Sequence, residues 1–78
     1  MGESIHEVDA RGLGCPLPLL KAKKGLNGLP AGGLLRVLST DAGSVRDFRV
    51  FCEQSGDVLL ESTEADGAYA FLIRKRSS

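Results

Sequence analysis

Turn-forming residues cut this chain into short segments, and their spacing limits the fold more than any other feature. Gly12 and Gly14 lead into Cys15-Pro16-Leu17-Pro18; Leu29-Pro30-Ala31-Gly32-Gly33 follows, then Gly56, then Asp66-Gly67. Glycine reaches backbone angles closed to other residues, whereas proline fixes φ and lacks an N–H, so both punctuate regular structure. The segments between them can be read by hydrophobic period. Residues 5–10 alternate as a short strand does, with Val8 and Ala10 on one side and Asp9 on the other. Residues 16–27 read as a helix, with Pro16 in the first turn where its missing N–H costs nothing. Leu19, Ala22, Leu26 and Leu29 form its apolar stripe, with Lys21 and Lys24 opposite. Residues 34–40 are a nearly continuous apolar run, the pattern of a strand partly covered on both faces. Asp41 is a candidate cap for a helix over 42–54, with Ala42 at its first position, and Gly56 is its natural stop. On that helix Val45, Phe48 and Cys52 share a face, while Arg46, Arg49 and Glu53 point elsewhere. Residues 58–63 and 69–75 read as strands around an Asp-Gly hairpin signal. The order β-α-β-α-β-β predicts an α+β fold. It is a two-layer α/β sandwich in which two helices cover one face of a four-stranded mixed sheet, with a single domain over 1–78.

Size and composition narrow the function. A chain of 78 residues buries only about 60% of its unfolded surface, so an enclosed multi-substrate active site is not expected. Lys+Arg and Asp+Glu are both 10, and the net charge is zero. That balance argues against non-specific binding of nucleic acid as the main task. No stretch approaches the roughly 20 apolar residues of a membrane span. Residues 1–10 lack a basic-then-apolar signal pattern, so a cytoplasmic location is expected. Cys15, Cys52 and the single His6 are too scattered for a disulfide framework, a C-x-x-C redox pair or a zinc knuckle. No metal and no cofactor are expected. Gly32-Gly33 lacks the spacing of a phosphate-binding loop.

The chemistry concentrates at Cys15, read here as the N-cap of the first helix. The partial positive charge and free N–H groups at a helix start favour a thiolate, so a lowered pKa is expected. Pro16 and Pro18 stiffen the turn and remove two donors, which leaves the Leu17 N–H as the expected direct donor to the sulfur. No second cysteine stands nearby to displace whatever bonds to Cys15. Asp9 and Gly12 are candidates for orienting the preceding loop. Leu17 and Leu20 fall off the apolar stripe and lie beside Cys15, so with Lys24 they are candidates for partner docking. Cys52 is read as core packing, and His6 as an exposed or half-buried strand residue. Arg74-Lys75-Arg76 is read as the end of an edge strand, guarding it against pairing.

Residues 9–18, Asp9-Ala10-Arg11-Gly12-Leu13-Gly14-Cys15-Pro16-Leu17-Pro18, resemble the D-x-x-G-x-x-C-P-x-P signature that opens the TusA-like sulfur carriers, with their SirA and YedF branches. The resemblance continues through Thr40-Asp41, Asp47, Phe51-Cys52-Glu53 and Leu72-Ile73-Arg74-Lys75. It implies the same β-α-β-α-β-β sandwich and a cysteine that takes persulfide sulfur from a cysteine desulfurase or similar donor. It also implies a downstream acceptor protein in tRNA thiolation, molybdenum-cofactor maturation or sulfur metabolism. Leu17 stands where several tRNA-pathway relatives carry Glu, Ala42 where they often carry Pro, and Gly14 where some carry a basic residue. The expectation is thus a monomeric sulfurtransferase working by persulfide relay, without direct nucleic-acid binding. The alternative is a small RNA- or protein-binding regulatory module with a redox-active cysteine, using Lys21, Lys24 and Arg74–Arg76 as a basic patch.

Overall fold

The computed structural model describes residues 4–77. Its elements are β1 (Ile5–Ala10), α1 (Leu17–Asn27), β2 (Leu34–Ser39), α2 (Ser44–Ser55), β3 (Val58–Ala65) and β4 (Ala68–Arg74). The strands form one sheet in the order β1-β2-β4-β3, with β1 and β2 parallel and the other neighbours antiparallel. This is the expected mixed sheet under two helices. Asp66 and Gly67 both have positive φ, 54° and 79°. A two-residue hairpin turn with that geometry matches the strand twist, which explains the Asp-Gly pair.

The core lies between the sheet and the helices. Ala10, Leu35, Val37, Phe71 and Ile73 meet Ala22 and Leu26 of α1 and Phe48 and Cys52 of α2. The Phe48 and Phe71 rings stack with centroids 4.6 Å apart. Pro18 is also fully buried, so this proline is a core residue as well as a stiffener of the first turn. Gly25 permits the close seating of α1: a Cβ there would stand 3.1 Å from Leu35 Cδ1 and 3.2 Å from Val8 Cγ2. A Cβ at this point would force the Leu35 and Val8 side chains to give way, a close approach that offsets the low helix propensity of glycine.

β2 is buried on one face at Leu35, Val37 and Ser39 and half-buried on the other at Leu34, Arg36 and Leu38, in keeping with its apolar run. Three expectations are corrected. First, α2 begins at Ser44 with Gly43 at its cap and no side-chain cap bond. Asp41 instead accepts the Gly43 N–H at 3.2 Å inside the preceding turn. Second, the phase of α2 is set by Ser44, Phe48 and Cys52, and Val45 is 41% exposed. The Ser44 hydroxyl bonds the Ser39 hydroxyl at 2.8 Å, which satisfies both buried groups and rotates Val45 outward. Third, β4 is an inner strand, so Arg74-Lys75-Arg76 guards no edge. Lys75 Nζ donates to the Leu29 carbonyl at 2.7 Å, and the Arg76 N–H donates to Asp57 at 2.8 Å. These residues fasten the chain end across the sandwich.

Candidate functional site around Cys15

The loop between β1 and α1 carries Cys15, and its shape is set by local hydrogen bonds. The Asp9 carboxylate accepts the Arg11 N–H at 3.0 Å and the Arg11 guanidinium at 2.9 and 3.0 Å. The Arg11 guanidinium, and then its backbone N–H, hold the Asp9 carboxyl down at about 2, against an ordinary 3.8. Gly12 adopts φ +83°, open to glycine at little cost. Its N–H donates to Thr40 Oγ1 at 2.8 Å, which ties the loop to the end of β2. Asp9 and Gly12 thus both hydrogen-bond within or from the turn that carries Cys15.

The helix start differs from expectation. α1 begins at Leu17 with Pro16 at its cap position, so Cys15 stands one residue before the cap. The Cys15–Pro16 peptide bond is cis. The Leu17 N–H is taken by the Gly14 carbonyl at 2.9 Å and is not available to the sulfur. Cys15 instead donates its thiol hydrogen across the helix pair to Asp47 Oδ2 of α2, at 3.0 Å. That bond, followed by some desolvation of the thiolate and the charges of Asp47 and Asp41, raises the Cys15 pKa above its ordinary value. The expected lowering is overturned. A helix N-terminus offers roughly half an elementary charge spread over several groups, whereas a carboxylate presents a full charge at contact distance. Asp47 was visible in the sequence only as part of the family pattern. Nothing local pairs it with a cysteine 32 positions away.

On α1, Leu17 is 46% and Leu20 51% exposed, and Lys24 is exposed. Between α1 and α2 runs a cleft of about 220 Å³ lined by Leu19, Lys23, Arg46, Asp47 and Phe51 among others. Lys23 Nζ sits 5.5 Å from the Phe51 ring centroid, a cation–π distance. Both cysteines are free; Cys15 is exposed and Cys52 is buried. Burial first, then the charge of Asp57, pushes the Cys52 thiol up to about 11. His6 is exposed on β1. No cluster of His, Cys, Asp and Glu that could hold a metal occurs among the described residues. No helix among them is long and apolar enough to cross a membrane.

Residues 6–75 match the family described as Sulfurtransferase TusA. The sulfur carrier protein TusA of Allochromatium vinosum is 51% identical over 75 residues, covering 96% of this chain and 99% of that protein. The protein of the same name from Pseudomonas entomophila is 40% identical over 79 residues, covering 99% of each. The crystal structure of a SirA-like protein from Desulfitobacterium hafniense superposes with a TM-score of 0.81 at 33% identity, covering 94% of this chain and 99% of that one. A matched family over nearly the whole length, on a sandwich that presents Cys15 at its surface, means that this chain belongs to the TusA sulfurtransferase family.

Proposed function

We propose that this protein is a sulfur carrier that holds a transferable sulfur atom as a persulfide on Cys15. The observation that carries this reading is the exposed Cys15 at a hydrogen-bonded loop tip, in a chain whose other cysteine is buried. The relatives named as sulfur carriers support it. The reaction is thiol–persulfide exchange. The Cys15 thiolate attacks the terminal sulfur of a donor persulfide, the new S–S bond forms, and the donor cysteine departs as a thiolate that takes up a proton. The loaded Cys15 then presents its terminal sulfur to an acceptor, and Cys15 leaves as the thiolate. No metal or organic cofactor enters either step.

A cysteine desulfurase or comparable enzyme is the donor in this reading. The acceptor is a protein of tRNA thiolation, molybdenum-cofactor maturation or sulfur metabolism, and the carrier works as a monomer in the cytoplasm. Leu17, Leu20 and Lys24 form the docking surface beside the sulfur, and Asp9 and Gly12 fix the loop that presents it. The basic residues needed by an RNA-binding alternative are dispersed. Lys21 and Lys24 lie on α1, whereas Lys75 and Arg76 are tied to Leu29 and Asp57. The test is incubation with a cysteine desulfurase and sulfur-labelled cysteine, followed by intact mass and non-reducing electrophoresis. Label that reductant removes should appear on the wild type and on Cys52→Ser, and should be absent from Cys15→Ser. Label on Cys52, or none with any desulfurase of the source organism, would falsify the relay.

A further inference from the structure

The Cys15–Asp47 contact is not what a standing nucleophile needs. An activated cysteine has a base or a cation beside it, yet here the neighbour is a carboxylate accepting the thiol hydrogen at 3.0 Å. A carboxylate is a far weaker base than a thiolate, so the proton stays on sulfur. Asp41, of the turn before α2, adds a second like charge that disfavours the Cys15 thiolate. Its Oδ2 is buried and accepts no hydrogen bond among the described residues. The nearest cations do not offset this pair. Arg11 is committed to Asp9, and Lys23 and Arg46, which line the cleft beside Asp47, form no ion pair with it among the described residues.

We propose that Asp47 is a positioning residue that keeps the empty carrier silent: it holds Cys15 as a thiol turned toward α2, and it lets go once the sulfur is loaded. This rests on the reading of Cys15 as the sulfur-bearing residue. The chemistry of loading gives the release. When Cys15 Sγ forms its bond to the transferred sulfur, its hydrogen has gone to the departing donor thiolate or to solvent. Sγ then has two covalent partners, Cβ and the new sulfur, and nothing to donate to Asp47 Oδ2. The terminal sulfur, more acidic than a thiol and anionic near neutral pH, faces two carboxylates that repel it outward. Empty and loaded carriers thus differ in where the sulfur points. An acceptor that engages the projecting arm distinguishes them without reading the rest of the fold.

The experiment is the pH dependence of alkylation at Cys15, which does not depend on sulfur acceptance and so stands or falls apart from the relay itself. Iodoacetamide is added to the folded wild type, Asp47→Asn and Asp47→Glu, and the rate is followed by mass spectrometry against a cysteine-containing peptide in the same buffer. The wild-type midpoint should lie above that of the peptide. An amide in place of the carboxylate removes the charge and can donate to a thiolate, so the Asp47→Asn midpoint should fall, while Asp47→Glu should stay near wild type. For each pH unit of fall, the thiolate fraction rises about tenfold and its nucleophilicity drops about threefold. The net rate near neutral pH should therefore rise about threefold per unit. An Asp47→Asn midpoint equal to or above wild type overturns the proposal. So does a wild-type midpoint at or below that of the peptide, a measurement that needs no variant to fold.

Discussion

The two cysteines offer a quantitative check on the whole arrangement, because alkylation of the folded protein reads exposure and ionisation together. Cys52 packs against Phe48 and Phe71 in the core and is 5% exposed. Moving its thiol from an ordinary 9.0 to about 11 disfavours the thiolate by about 3 kcal/mol. A reagent therefore reaches it mainly when the domain opens. At the low end of ordinary stability, about 0.05 kcal/mol per residue, a chain of 78 residues opens at a cost of about 4 kcal/mol. That cost suppresses labelling through the open state by about a thousandfold. Cys15 needs no opening. Even with Asp47 slowing it, Cys15 should be modified at least about a hundredfold faster than Cys52 in the native protein. Iodoacetamide near neutral pH, timed quenching and peptide mapping measure both rates in one tube, and denaturant should bring them together. Rates within about threefold of each other in the folded protein would refute both the burial of Cys52 and the selective presentation of Cys15.

Two further outcomes follow from the same surface. Leu20→Glu alters a half-exposed side chain, so thermal unfolding should shift by no more than about 0.5 kcal/mol while sulfur acceptance from a desulfurase slows severalfold; a large fall in melting temperature would instead make Leu20 a core residue. In an acid titration followed by NMR, the Asp9 carboxyl should titrate near about 2 rather than 3.8, and Arg11→Ala should return it toward the ordinary value. The loop's contribution should then hold above the ordinary carboxyl range and be lost as pH falls through about 2; an unshifted Asp9 in the wild type would contradict the Arg11 clasp.

What could be read in the sequence was local. Element order, the Asp66-Gly67 turn, the inward face of Cys52 and the outward face of Leu17 and Leu20 all follow from period and turn chemistry over a few residues. What escaped depends on the chain meeting itself. Asp47 reaches Cys15 only because α1 and α2 lie side by side on the sheet, and this contact reverses the expected direction of the Cys15 pKa. The strand order β1-β2-β4-β3 places β4 inside, which turns Arg74-Lys75-Arg76 from an edge guard into a fastening. Asp41 has the composition of a helix cap, but the helix starts two residues later, which places the cap at Gly43. Capping rules rank residue types without fixing where the first turn closes.

The burial of Cys52 also sets a stoichiometry. With its second thiol sealed in the core, each molecule offers a single exposed cysteine, so on the proposed reading all the sulfur it carries sits on Cys15. Throughput is then governed by copy number and by how often each molecule visits donor and acceptor. No polysulfide can be built up between two thiols of one chain. On that reading the number of loaded sites in transit is capped by the abundance of the protein.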